Sequence, residues 1–232
     1  MKESSRRKFL GKMLALGAFA SLGSTKLFAN LNEAKTILIL GANGRIARLV
    51  SDRLLKESKV NLRLFLRKAS RLNELKSARV ELFEGDASDE KALEQAMQGV
   101  DIVYANLSGD LELYAQNIIT TMQNTNTKRL IWISSVGVYN EVSEYELRRL
   151  SPWLGEHKKS VELIEASKLD YTIIRPGWLS NENSINYALT QKGQDFINPE
   201  KYISRASVAD LIVKICLDPK LYIRASLGIH KP

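Results

Sequence analysis

The stretch TILILGANGRIARLVSDRLL, residues 36–55, narrows the fold more than any other part of the chain. TILIL is an apolar run of strand length, the pattern of a strand covered on both faces. RLVSDRLLKES carries apolar residues at helical spacing. Between them stand Gly41, Gly44 and Ala47. Gly41 permits a tight turn at little steric cost. Gly44 lacks a Cβ, so a pyrophosphate can approach the backbone, and Ala47 is small enough for helix and strand to pack closely. The helix N-terminus offers free N–H groups and a partial positive charge to phosphates. Gly41, Asn43, Gly44, Arg45 and Ile46 are therefore candidate cofactor-binding residues, Arg45 by direct charge contact. The alternative is a turn that needs glycine for its geometry alone. An apolar strand before and an amphipathic helix after, at the head of a domain, favour a dinucleotide.

The same alternation continues to the C-terminus. VNLRLFLR, RVELFEGD, DIVYANLSGD, KRLIWISSVG and DYTIIRPG read as strands. SRLNELKSA, DEKALEQAMQGV, LELYAQNIITTMQNTN, HKKSVELIEASK and VADLIVKICLD read as helices between and after them. Such alternation predicts an α/β fold of Rossmann type, a doubly wound parallel sheet in a single domain over residues 34–232. Pro152, at the end of SEYELRRLSPW, predicts a helix boundary. Asn181–Ile203 is polar and irregular and reads as a loop with a short helix covering a site.

An acidic residue about twenty positions past the third small residue of the turn would hold the ribose 2′-hydroxyl of NAD. The count from Ala47 reaches Arg67, and Arg67, Lys68 and Arg71 cluster there without an acid. A carboxylate repels a 2′-phosphate, whereas guanidinium grips one bidentately. The expected cofactor is NADP, with NAD the alternative if these residues are only a solvated basic loop. Asp86, with Ala87 beside it, follows the third strand. It either accepts from the adenine amino group or caps the next helix. Asn106, Leu107 and Ser108 end the fourth strand at the carboxyl edge, where ligands bind in such sheets.

Composition excludes several classes. The net charge is +8, but residues 1–29 hold six Lys/Arg and one Glu, leaving +3 on the remainder. That is an ordinary surface charge and points to no nucleic acid. The lone Cys216 lies in the apolar LIVKICL and reads as core. His157 and His230 stand far apart with no cysteine near either, so no metal site is expected.

The first 29 residues read as an address. Ser5, Arg6, Arg7, Phe9 and Leu10 fit a twin-arginine export signal, and the apolar MLALGAFASL that follows is about half a bilayer span. Cleavage after Ala29 fits except for the large Leu27. The expectation is a periplasmic protein that meets a membrane only through export; a basic tail on a cytoplasmic protein, or a peripheral anchor, is the alternative. The twin-arginine route carries folded cargo, which suits a protein that takes up its nucleotide in the cytoplasm.

GANGRIA, EGDASD, SSVGVY, KKSVELIEASKLDYTIIRPGWL and SRASVADLI together resemble the atypical short-chain dehydrogenases/reductases. The nearest group is the single-domain NAD(P)H-binding proteins related to NmrA-like regulators and flavin/biliverdin reductase. The resemblance runs from Thr36 to about Gly228. It implies a Ser-Tyr-Lys set in which tyrosine delivers a proton, lysine lowers its pKa and serine orients the carbonyl. Ser134 and Ser135 match the serine place. The pattern Y-x-x-x-K-x-x-x-E puts Lys158 at the lysine, but Leu154 stands where tyrosine belongs; one register over gives Trp153 and His157. Tyr145 and Tyr139 are the nearby phenols, Tyr139 the one within reach of a substrate pocket, and loop packing is the plainer reading of both. Lys158 remains a candidate for the nicotinamide ribose. His157 is either a proton donor or an exposed helical histidine. Pro176 and Gly177 match the turn that approaches the nicotinamide, and Trp178 either stacks over a ring or packs under the 181–203 loop.

The resemblance thus implies an oxidoreductase moving hydride between NADP(H) and a small-molecule acceptor, flavin- or quinone-like, that takes its proton without the usual tyrosine. The alternative is a non-catalytic NAD(P)-binding redox sensor or assembly protein. Sugar epimerisation or dehydration fits less well, because the tyrosine and a large C-terminal substrate region are both missing.

Overall fold

The computed structural model describes residues 34–232, so the expected export signal lies outside the described residues. The first strand, β1 (Thr36–Leu40), leads into α1 (Arg45–Glu57) and back to β2 (Asn61–Leu66). β3 (Val80–Glu84), α2 (Glu90–Met97), β4 (Ile102–Ala105), α3 (Leu111–Asn124) and β5 (Arg129–Ile133) follow. Then come α4 (Glu144–Ala166), β6 (Asp170–Pro176), β7 (Leu179–Ser180), β8 (Ala188–Gln191), β9 (Ile203–Ser204), α5 (Arg205–Leu217) and β10 (Ala225–His230). Among the described residues one eight-stranded sheet runs in the order β3-β2-β1-β4-β5-β6-β10-β8. All its pairs are parallel except β10 with β8. This is the doubly wound Rossmann-type architecture, with the chain reversing direction across the sheet between β1 and β4.

β1 shows why the apolar run takes this form. Ile37 and Ile39 face a core shared with α1 and α5, and Leu38 and Leu40 face a second core shared with α2, α3 and α4. All four side chains are wholly buried. Each contributes roughly 1.5–3 kcal/mol relative to exposure, which only a strand covered on both sides can collect.

Three elements differ from the expected alternation. Pro152 does not bound a helix: α4 runs through it from Glu144 to Ala166. The carbonyl that a proline leaves without its helical donor is that of Arg148, and the Ser151 hydroxyl donates to it at 2.9 Å. Leu150 and Leu154, buried on either side of the proline, hold the segment against the core. The segment 181–203 contains strand β8 instead of a short helix. β8 pairs with β10, whose ASLGIH places Gly228 opposite Thr190; a Cβ at Gly228 would collide with the Thr190 hydroxyl. SRLNELKSA forms a 3-10 segment, Ala69–Leu75, kinked at Leu72, whose side chain is wholly buried. The Ala69 N–H donates to Glu84 at 2.8 Å, fixing the segment to the end of β3.

Candidate functional site

The glycine-rich turn is built by backbone bonds at the carboxyl end of β1. The N–H groups of Gly41 and Ala42 both donate to the Phe65 carbonyl, at 3.0 and 3.2 Å, and Gly44 N–H donates to the Gly41 carbonyl at 2.9 Å. Gly41 has φ +71°, and a Cβ there would collide with the Asn106 carbonyl. At Gly44 a Cβ would collide with the Asn106 side-chain amide. The space that Gly44 leaves open is thus taken first by Asn106, which the end of β4 wedges against the turn. Helix α1 starts at Gly44 with no side-chain cap and no acid in its first turn. Its first turn therefore starts beside the groove, where Gly44 lines it, with its partial positive charge uncompensated by a side-chain cap or an acid.

Around this turn lies a groove of about 250 Å³. Gly41, Asn43 and Gly44 form its floor, and Asn106, Leu107 and Ser108 one side. Arg67, Lys68 and Arg71 form the far wall, Asp86 and Ala87 its end. The side chains of Arg67 and Lys68 have no hydrogen-bond or ion-pair partner among the described residues. Asn43 is held by Arg48, whose guanidinium donates to it at 3.1 and 2.7 Å. The two readings of Asp86 separate here: Asp89 is the residue that caps α2, accepting from the Lys91 and Ala92 N–H groups. The Asp86 carboxylate accepts from the Ser88 N–H and hydroxyl at 3.0 and 2.8 Å, and these bonds hold its pKa below the usual range. Phe65, Leu66, Gly85 and Tyr114 complete the lining. Sequence reasoning passed over them because they lie outside the turn motif. At Gly85 a Cβ would stand 2.6 Å from the Phe65 ring, so glycine gives that ring room at the groove, a relation between two strands that the sequence does not display.

A second pocket, of about 340 Å³, opens where β5 and β6 end. Ser134, Ser135, Pro176, Gly177 and Trp178 line it, and so do Trp153, His157, Tyr202 and Arg205. The two tryptophan rings meet edge to face at 6.4 Å between centroids. Trp178 is fixed from behind: its indole N–H donates to Glu146 at 3.0 Å, and the Arg149 guanidinium lies 4.6 Å from its ring centroid. His157 is not an exposed helical histidine. It is half-buried, with Nδ1 3.4 Å from the Ser134 hydroxyl, and desolvation holds its pKa down at about 4. At neutral pH it is an uncharged imidazole, able to donate one N–H and accept at the other nitrogen.

The remaining predicted residues lie elsewhere. The Tyr139 hydroxyl donates to Glu165 at 2.7 Å, and its ring lies between Arg175 and Lys192, 4.9 and 4.6 Å from its centroid. Burial pushes that phenol well above its ordinary pKa. Lys158 donates to the Asn140 side chain at 2.8 Å. Neither lines the groove or the second pocket. Arg45 reaches the Asn181 side chain at 3.4 Å, and Ile46 is buried in the core under α1. Cys216 is buried, and among the described residues no group of three His, Cys, Asp or Glu side chains is placed to hold a metal.

A glycine cradle, an uncapped helix N-terminus and unpartnered cations at the sheet's switch point fit a phosphorylated dinucleotide. Fold and site together define a dinucleotide-binding protein of the Rossmann class. The NAD(P)H-binding family profile matches residues 41–219, and the chain belongs to that family. A Rossmann-fold NAD(P)-binding family protein from Shigella flexneri is 38% identical, with a TM-score of 0.75 over 86% of this chain and 95% of that one. A short-chain dehydrogenase/reductase from Veillonella parvula, solved in complex with NADP, is 25% identical, with a TM-score of 0.78 over 86% and 96%. Among curated relatives, an NAD(P)H azoreductase from Xenophilus azovorans is 28% identical over 165 residues, 69% of this chain and 54% of the azoreductase. The chain therefore spans about half the length of that relative.

Proposed function

We propose that the protein is an NADP(H)-dependent reductase of a small planar acceptor. The observation that carries this reading is the second pocket, lined by Trp153, Trp178, Tyr202, Ser134 and His157 at the end of β5, the strand beside β4, whose end lines the nucleotide groove. Arg67 and Lys68 support the preference for NADP, since two free cations at the end of β2 suit a 2′-phosphate, and Asp86, the acid that lines the same groove, is engaged by the Ser88 N–H and hydroxyl. The uncapped start of α1 and the Gly41 turn would hold the pyrophosphate. When bound, NADPH supplies the hydride; a quinone that takes hydride and one proton leaves as hydroquinone, and an azo group as hydrazo. The aromatic side chains orient a flat acceptor by edge and face contact. Ser134 orients the acceptor oxygen or nitrogen, and the neutral His157 behind it keeps that hydroxyl aligned. The relative named as an NAD(P)H azoreductase supports a reductase reading and an azo group among the acceptors to test. The test is oxidation of NADPH by the purified protein, followed by absorbance, across quinones, flavins and azo dyes. Steady oxidation above the rate without protein is expected with at least one planar acceptor.

A second reading rests on the missing Tyr-Lys pair. With Tyr139 bonded to Glu165 and Lys158 to Asn140, the usual proton relay is not assembled at Ser134. This reading makes the protein a sensor or assembly factor that binds NAD(P) without turnover. Tight NADPH binding with no acceptor oxidised, together with partner proteins whose capture changes with cofactor state, selects it. Export through Arg6 and Arg7 belongs to either reading. Replacing both by lysine should leave the protein in the cytoplasm, and an unchanged location would remove export from the proposal.

A further inference from the structure

At the rim of the second pocket two arginines converge on one neutral oxygen. Arg205, the first residue of α5, donates from Nη1 to the Asn181 side-chain oxygen at 2.8 Å. Arg45, the first residue of α1, donates to the same oxygen at 3.4 Å. Neither guanidinium has an ion pair among the described residues. The first turns of both helices lack acids. The neighbouring Glu182 is already paired with Lys231 at 3.5 Å. The cations therefore repel each other across an amide that neutralises neither, and the two helix N-termini add positive potential at the same edge. Burial and the charge of Arg45 both lower the pKa of Arg205, the mark of a like-charge pair without its counter-ion. The same Nη1 of Arg205 also donates to the Ser180 carbonyl at 3.0 Å, which holds this end of the guanidinium at the rim.

We propose that Arg205 and Arg45 form an anion subsite that receives a carboxylate or sulfonate carried by the acceptor in the second pocket. This rests on the reading of that pocket as the acceptor site and adds the acceptor's charge class. Arg205 lines the pocket with Trp178 and Leu179, so an acid group on a ring held by Trp153 and Trp178 would lie at the mouth where the guanidinium points. Asn181 holds the two cations together until an anion replaces its oxygen. A guanidinium fork suits the pair of oxygens that a carboxylate or a sulfonate can present to it. The same cations could instead meet a phosphate of the dinucleotide, and the test separates the two sources.

The test needs no turnover. With NADPH bound, 1,4-naphthoquinone-2-sulfonate and uncharged 2-methyl-1,4-naphthoquinone are titrated under anaerobic stopped-flow conditions, reading the initial quench of tryptophan fluorescence before any reduction. The expected result is tighter binding of the sulfonate. That preference should fall about tenfold in Arg205→Gln and survive largely in Arg205→Lys. Asn181→Asp, which leaves both arginines in place but supplies an internal counter-ion, should abolish it. Raising salt should weaken the sulfonate alone. Equal binding of the two quinones by the unaltered protein overturns the proposal. So does a preference that outlives both Arg205→Gln and Asn181→Asp. A loss confined to NADPH affinity assigns the arginines to the dinucleotide and overturns it as well. If the sulfonate binds selectively yet no acceptor is ever reduced, the subsite stands and the reductase reading fails.

Discussion

The two pockets stand side by side at the carboxyl edge of one sheet, yet they are made in opposite ways. The nucleotide groove is largely backbone. Its floor is a turn of a few contiguous residues, and its charge comes from helix N–H groups and from Arg67 and Lys68 on the next loop. The second pocket is made of side chains drawn from residues 133–136, 150–157, 176–179 and 202–205. A backbone site is specified by where glycine is required and tolerates little else. A side-chain site is specified by what packs behind it, as Glu146 and Arg149 pack behind Trp178. The first suits a ligand common to a whole family. The second suits an acceptor that differs from one protein to the next.

Substitutions sharpen this contrast. The largest effect is expected at Gly41, where alanine must adopt φ +71° and collide with the Asn106 carbonyl. Gly41→Ala should destabilise the fold by about 3 kcal/mol or more and abolish measurable NADPH binding, read by thermal unfolding and by titration. Intact binding in this variant would break the account of a backbone-built groove.

The second pocket should reveal itself through pH. His157 has a folded pKa of about 4 against an ordinary 6.5. Between those values the unfolded chain binds more protons than the folded one, so stability falls as pH drops from about 6.5 toward 4. The loss should approach ~3 kcal/mol by pH 4. His157→Gln should flatten that part of the denaturation profile, measured by urea titration at each pH. An unaltered slope would mean that the imidazole is solvated.

Arg67→Ala paired with Lys68→Ala should weaken NADPH roughly 10- to 100-fold while NADH affinity stays within about twofold, since only NADPH carries the 2′-phosphate. Equal loss of both would move these cations from the 2′-phosphate to the shared part of the cofactor. Trp178→Ala should give the smallest change: about a tenfold rise in acceptor KM, with NADPH affinity nearly untouched. If NADPH affinity fell instead, the division between the two pockets would fail.

Much of the groove could be read from the chain. Gly41, Gly44 and Ala47 occur at fixed spacing between an apolar strand and an amphipathic helix, and local geometry allows little other use for them. Arg67 was found by counting from Ala47. The role of Asp86 was not readable, because Asp86 and Asp89 are equally good caps in sequence and only the backbone path gives the cap to Asp89. Pro152 misled for a similar reason: its rule concerns a missing donor, and the Ser151 hydroxyl satisfies the carbonyl that the proline leaves open. Strands β8 and β10 escaped because ALTQ and ASLGIH are short and mixed, and their pairing depends on a close approach over Gly228.

By itself the sequence determined the alternating fold, the class of cofactor and the basic wall of the groove. Each is written in residues near one another along the chain, where period, glycine position and charge act directly on local structure. Tertiary structure alone decided that His157 faces Ser134, that Tyr139 and Lys158 are engaged elsewhere, and that Arg45 and Arg205 share Asn181. Those relations join residues up to 160 positions apart. They arise from how α1, α4 and α5 lie on the sheet, and packing between distant helices leaves no periodic mark in a single sequence.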